Sequence, residues 1–380
     1  MADLASAFAE RFQTTPLLYR APGRINLLGE HIDYHDGFVM PAAIHFQVDY
    51  AIAKRDEKKG TLIARDLNES FEYDLETLAP GDVSWANYLL GVMYQLRQAG
   101  HEFPAVDVMF SGNIPPGAGL SSSAAVECGL AYGLNDLFGL GIDSMSLAKL
   151  SQAAEHTFAG VQCGLMDQFA SVFGQEGQVM CLDCRSLEYE YFPFPSQEWK
   201  LLLMDTRVKH ALSDGGYNQR RQESEAGLAA IQAKYPEVKS LRDATFVQLE
   251  SVREQMEPVS YRRCSFVLDE IQRVGLATAA LKSGDITKLG ELMYLTHHGL
   301  QHDYEVSCIE LDFLVAMAKE IPTISGARMM GGGFGGCTIN LIPAGSEEEI
   351  AEQLRAGFVQ QFGHEPGVYI TQISQGASKA

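Results

Sequence analysis

Positive charge is scarce in this sequence: 29 lysines and arginines stand against 49 aspartates and glutamates, a formal net charge of −20. A sequence-independent grip on nucleic acid or on an anionic bilayer needs the opposite balance, so neither is an expected partner. Any anionic ligand has to be held by a local device. Long apolar runs are also missing, and none approaches the roughly 18 uncharged apolar residues of a membrane span. The opening segment MADLASAFAERFQTTPLLYR lacks a basic start and an unbroken apolar stretch, and does not read as a signal peptide. Cysteine is sparse and odd in number, seven scattered residues, which suits a reducing compartment better than a disulfide framework. Internal repeats and low-complexity tracts are absent. A soluble, cytoplasmic protein is the expectation.

What is present is an ordinary globular composition, 46% hydrophobic and 21% charged over 380 residues. At roughly 150 residues per domain this length predicts two or three domains with a substantial core. Val106–Phe110, Gln178–Asp183, Lys200–Asp205, Thr338–Ile342 and Val368–Ile373 read as strands. Ala124–Phe138, Met145–Phe158, Gln219–Lys234, Ser265–Lys282, Cys308–Ile321 and Ser346–Phe362 carry apolar residues at helical spacing. The pattern is α+β rather than a regular βα alternation. The aromatic, proline-punctuated stretch Tyr189–Trp199 marks a junction between two halves.

Three segments carry chemistry. The first, APGRINLLGEHIDYHDG (Ala21–Gly37), crowds Arg24, Glu30, His31 and Asp33 among glycines. So many polar groups cannot be buried without partners, and a polyhydroxyl ligand would supply them; a solvated surface turn has the same composition. The second, SGNIPPGAGLSSSAAVE (Ser111–Glu127), follows a strand and opens a helix. Gly117 and Gly119 let backbone amides turn inward, and Ser121, Ser122 and Ser123 offer capping hydroxyls, so amides and a helix dipole meet on one spot suited to a phosphate chain. The usual P-loop Lys-Ser/Thr is missing, since Ala118-Gly119 stands there. The third, GARMMGGGFGGCTINLI (Gly326–Ile342), contains G-x-G-x-x-G at Gly331, Gly333 and Gly336. A strand-like stretch follows where a dinucleotide fingerprint needs a helix, so a backbone loop passing close to a ligand or another loop is the better reading.

Between them, Glu155 belongs to a helical pattern and Asp167 to a less regular stretch. A carboxylate joined to a serine hydroxyl is the sparse oxygen set that Mg²⁺ uses on nucleotide phosphates, and a second acid could orient a substrate hydroxyl. Cys181-x-x-Cys184 has no second pair at zinc spacing, and His297, His298 and His302 lack the H-E-x-x-H arrangement. Arg220 and Arg221 read as a solvated helix face.

In this order the three segments resemble the three motifs of the GHMP small-molecule kinases, and the first resembles the sugar signature of the galactokinase family. WANYLLGV (Trp85–Val92) and DYEVSCIELD (Asp303–Asp312) extend the likeness over nearly the whole chain. The resemblance implies a two-domain fold: an N-terminal mixed β-sheet domain with helices (residues 1–195), and a C-terminal ferredoxin-like α/β domain (196–380), with the active site in the cleft between them. It implies ATP-dependent phosphorylation of the anomeric hydroxyl of D-galactose, with ATP and Mg²⁺ as co-substrate and cofactor, in a chain that is expected to be monomeric. Arg24 and Asp167 would sit at the reacting hydroxyl. Glu30, His31, Asp33, Gly164 and Tyr217 would hold the other hydroxyls. Gly117, Ala118, Gly119, Leu120, Ser121, Ser122 and Ser123 would wrap the phosphates, Ser122 and Glu155 would ligate Mg²⁺, and Trp85 would lie near the adenine. Met330, Ile32 and His35 depart from the family pattern, which usually has Thr, Thr and Asn there. A kinase for another small alcohol or sugar, and a regulator that binds galactose and ATP without transferring phosphate, would share these motifs.

Overall fold

Strands buried along most of their length, Leu17–Asn26, Pro41–Lys54 and Val106–Gly112, build the first half of the chain into a sheet with helices on it. The computed structural model describes residues 1–209 and 213–380. Its first half contains strands β1 (Leu17–Asn26), β2 (Phe38–Val39), β3 (Pro41–Lys54), β4 (Lys59–Ala64), β5 (Glu69–Asp74), β6 (Val106–Gly112), β7 (Gln178–Asp183) and β8 (Tyr189–Pro193). The second half adds β9 (Trp199–Lys209), β10 (Gly326–Met329), β11 (Gly335–Pro343), β12 (Gly367–Thr371) and β13 (Ser378–Lys379). A six-stranded sheet runs β13-β1-β3-β6-β4-β5 and is mixed, because β4 pairs parallel with β6. An antiparallel four-stranded sheet runs β10-β11-β9-β12, and β2, β7 and β8 form a third. The mixed sheet with helices and the ferredoxin-like second half are the α+β fold expected from the sequence.

Apolar packing joins the halves. Ile25, Leu27 and Met40 of the first half share one buried cluster with Leu201, Phe266, Met330 and Ile339 of the second. The end of the chain also returns to the first sheet. β13 pairs with β1, and the Ala380 amide donates to the Leu18 carbonyl (2.9 Å). Among the described residues no helix is long and apolar enough to cross a membrane.

Three local expectations need correction. The strand foreseen to Ile373 ends at Thr371, because Ile373 leaves the second sheet to bridge Ile44 in the first half. The helix foreseen over Met145–Phe158 is α-helical only over Ser144–Ala154; Glu155–Ala159 widens into a π turn, a feature that often sits at functional sites. Asp167 lies in the first turn of the helix Met166–Phe173 rather than in irregular chain.

Candidate active site

β1 carries the start of the first motif into the interior, so that Arg24, Glu30 and His31 are buried and Asp33 partly so, and the motif is not a solvated turn. Arg24 is 6% exposed, and its guanidinium forks onto Asp167: Nε donates to Oδ1 (2.8 Å) and Nη2 to Oδ2 (3.0 Å). The remaining Nη1 donates to the Gly119 carbonyl of the second motif (2.6 Å), and the Arg24 amide donates to the Leu120 carbonyl (3.1 Å). Ser121 gives its hydroxyl to Asp167 Oδ2. One buried cation thus ties the first motif, the phosphate-type loop and Asp167 together.

Arg24 and Asp167 line a cavity of about 190 Å³ with Glu30, His31, Asp33, Cys163, Gly164, Tyr217 and Gly332. The volume lies below the roughly 300–1,000 Å³ usual for drug-sized ligands, and suits a monosaccharide. A larger cavity of about 610 Å³ at the junction, lined by Phe194 and Trp199 among others, gathers none of these groups. Burial, and then the charge of Asp167, push the Asp33 carboxyl up to about 6. Burial lowers His31 to about 4, so its ring is neutral near pH 7. Both His31 nitrogens are engaged, Nδ1 with the Tyr34 hydroxyl (2.9 Å) and Nε2 with the Gly332 carbonyl (3.2 Å). Gly164 makes room for Asp33: a Cβ there would fall 1.8 Å from Asp33 Oδ2. Tyr217 stacks at a tilt on His31, with ring centroids 5.1 Å apart.

The second motif runs from β6 through a loop into the helix Ser122–Phe138, as its glycines and serines foretold. Gly117 and Gly119 hold positive φ. The side chains of Ala118 and Leu120 turn into the apolar core, so only their backbone is available to a ligand. Ser121 occupies the N-cap position, but in the left-handed region and without a capping bond, because Asp167 takes its hydroxyl. Of the three serines it is Ser123 that hydrogen-bonds Glu155, whereas Ser122 is exposed at the helix start. Glu155 Oε2 also accepts from Gln168 Nε2 (2.6 Å) and Cys163 Sγ (3.4 Å). Gln168 Nε2 lies 3.2 Å from Glu127 Oε2 as well. Burial and the nearby Glu155 charge push Glu127 up to about 10, so this acid keeps its proton at neutral pH.

The third motif is a hairpin between β10 and β11, so its G-x-G-x-x-G opens no helix. Its loop lies against the second motif: a Cβ on Gly331 would stand 3.7 Å from the Gly119 carbonyl. Met330 packs in the same apolar cluster as Ala118 and Leu120, which accounts for an apolar residue where a hydroxyl is common. Trp85 stands apart from the cavity, packed on Phe110 of β6 (5.7 Å) with Nε1 donating to Glu69 (2.6 Å). Arg220 is not a solvated face; it donates to the Tyr304 (2.7 Å) and Glu305 (2.8 Å) carbonyls, while Arg221 pairs with Glu225 (2.8 Å). Sequence reasoning passed over Gln168, Glu127, Tyr34 and Arg328. For Gln168, Glu127 and Arg328 the available signal was a polar or charged residue inside an otherwise apolar helix or strand; Tyr34, in the short turn Asp33–His35, gave none.

Comparison with known proteins agrees with this arrangement. Residues 6–54 match the galactokinase galactose-binding signature, 87–175 the GHMP kinases N-terminal domain and 277–360 the GHMP kinases C-terminal domain. The galactokinase of Roseiflexus sp. is 37% identical over 378 residues, covering 99% of this chain and 96% of that one. The galactokinase of Thermotoga maritima is 38% identical over 361 residues, covering 95% and 99%. The crystal structure of Lactococcus lactis galactokinase complexed with galactose superposes with a TM-score of 0.95 at 32% identity, covering 100% of this chain and 99% of that one. Methanococcus jannaschii mevalonate kinase, 16% identical with a TM-score of 0.65, shares the fold. Full-length similarity at this level, together with the galactose-binding signature on the residues that wall the cavity, makes the chain a member of the galactokinase family of GHMP kinases.

Proposed function

We propose that this enzyme transfers the γ-phosphoryl group of ATP to the anomeric hydroxyl of D-galactose, giving galactose 1-phosphate and ADP. The observation that carries the reading is the Arg24 fork on Asp167 at a sugar-sized cavity, with Gly119 and Ser121 of the glycine loop bonded to the same two side chains. Phosphoryl transfer runs through a loose transition state, so the protein chiefly positions the reactants and offsets charge. Asp167 accepts the proton of the anomeric hydroxyl as that oxygen bonds to phosphorus and the bond to the ADP oxygen breaks. Arg24 holds the carboxylate in place and faces the negative charge of the travelling group. Glu30, His31, Asp33, Gly164 and Tyr217 select the sugar, since each hydroxyl misplaced by a wrong epimer strands a buried partner at about 1–3 kcal/mol.

Residues 117–123 cradle the triphosphate through backbone amides and the start of the helix, and Trp85 lies toward the adenine. Glu155 with the serine hydroxyls at that helix start is a donor set of the kind Mg²⁺ accepts, one carboxylate and few hydroxyls with room for phosphate oxygens and water. Bound there, the ion would neutralise charge on the β- and γ-phosphates. The enzyme works in the cytoplasm as a monomer on this reading, which the seven unpaired cysteines support for the compartment. ADP release with galactose, ATP and magnesium tests the proposal directly. Turnover of a non-sugar alcohol with none on galactose would reject the substrate, and tight galactose and ATP binding without ADP release would make the protein a regulator.

A further inference from the structure

β10 carries an arginine that phosphoryl transfer does not call on. Arg328 is fully buried in the second half, and its guanidinium reaches across the cleft to the first. Nε donates to the Leu27 carbonyl (2.6 Å), Nη1 to the Met329 carbonyl (2.6 Å), and Nη2 to the Asn26 carbonyl and to Glu30 Oε1 (3.1 Å). The same Glu30 oxygen accepts the Gly331 amide (2.8 Å). Two donors from the third motif thus commit one oxygen of Glu30, a residue of the cavity wall. Such a bridge between buried charges is of little net use to stability unless its donors are satisfied, and here four acceptors take four of the five N–H groups of the fork.

We propose that Arg328 is a positioning residue for sugar recognition: it fixes one oxygen of the Glu30 carboxylate so that the other is presented to a galactose hydroxyl. The inference rests on the sugar-site reading above. Arg328 stands behind Glu30 and does not line the cavity, so its contribution is to ground-state binding, and losing it raises KM with kcat nearly unchanged. Lysine keeps the charge but cannot reproduce a planar fork on carbonyls and a carboxylate at once.

Galactose binding to the full chain without nucleotide, measured by calorimetry beside steady-state kinetics, tests this. Arg328→Lys should raise the galactose Kd and KM about tenfold or more, with kcat and the KM for ATP within about threefold. In a Glu30→Gln background the Arg328 substitution should add almost nothing, because no carboxylate remains to be aimed. Glu30→Gln with Arg328→Met removes both buried charges and serves if Arg328→Lys does not fold. Its galactose Kd should equal that of Glu30→Gln alone, and a further tenfold loss would overturn the proposal. Unchanged galactose affinity in folded Arg328→Lys, or parallel losses of galactose and ATP binding, would also overturn it. If Glu30→Gln itself binds galactose normally, the sugar-site reading fails first.

Discussion

The two ends of the cleft are built from different materials. At the sugar end, buried side chains converge and nearly every one is already held: Glu30 by Arg328 and Gly331, His31 by Tyr34 and Gly332, Asp167 by Arg24 and Ser121. At the end proposed for the phosphates the glycine loop offers mainly backbone, with Ala118 and Leu120 turned into the core and Ser122 exposed. A sugar differs from its epimers by the direction of single hydroxyls, which only fixed side-chain partners can read. A triphosphate is the same in every substrate pair, and amides at a helix start bind it without reading anything else. On the proposed function, specificity and donor binding divide along the cleft, and substitutions at each end should fail in different ways.

The largest effect falls where the two ends meet. Asp167→Asn keeps the shape and loses the proton acceptor, and kcat should drop by about 10²–10⁴ in single-turnover assays while nucleotide affinity stays near normal. Arg24→Ala should cost at least as much turnover. It should also weaken ATP binding, since Arg24 holds the Gly119 carbonyl of the phosphate loop. Near-normal turnover in Asp167→Asn would remove the base from the mechanism. Next comes Gly164→Ala, a change at the sugar end alone. Its methyl would overlap Asp33 Oδ2, and the displaced carboxylate should raise the galactose KM by about 10–100-fold with little change for ATP.

The same division explains what the sequence made legible. The phosphate loop could be read because strand, glycines, serines and helix follow each other within Ser111–Glu127, so its geometry is local. The Asp167–Arg24 pair could not be read from spacing, since 143 positions separate the partners and only the family resemblance brought them together. β1 went unread because APGRIN has the composition of a turn. Its register beside β3 comes from tertiary pairing, with a bulge between Pro22 and Arg24. Arg328 was hidden because a charged residue in a short edge strand looks like a surface position, whereas here the opposite half of the molecule supplies three of its acceptors. Ser121 shows a local rule overridden: N-cap preference gives its hydroxyl to the helix, and the structure gives it to Asp167.

A smaller effect follows from Asp33. Burial first, and then the Asp167 charge, hold its carboxyl up to about 6, so it gains its proton as pH falls through that value. A galactose hydroxyl that donates to Asp33 needs the ionised form, and its affinity should weaken by up to about tenfold per unit below pH 6. His31, lowered to about 4, stays neutral across this window and does not blur it. The stability term has the opposite sign. A carboxyl raised above its unfolded value makes the folded protein less stable as pH rises from about 4 to 6, so acid loss of galactose binding cannot be unfolding driven by this group. A galactose KM that is flat between pH 5 and 7 would take Asp33 out of the sugar contact, as would the same acid dependence in Asp33→Asn.

The smallest expected effect distinguishes the serines at the phosphate end. If Ser122 ligates Mg²⁺, Ser122→Ala should raise the magnesium concentration for half-maximal turnover a few-fold, in keeping with an ion that retains most of its waters and loses one neutral ligand. Its exposed position means the fold should not change. Ser123→Ala removes a hydrogen bond from Glu155 instead, which still keeps Gln168 and Cys163. That change should shift the magnesium titration less than Ser122→Ala does. The reverse order would move the ligand role from Ser122 to Ser123, the hydroxyl that already meets Glu155. Identical titrations for both variants and the unmodified enzyme would leave Glu155 as the protein's contribution to the ion, with nucleotide phosphates and water supplying the rest.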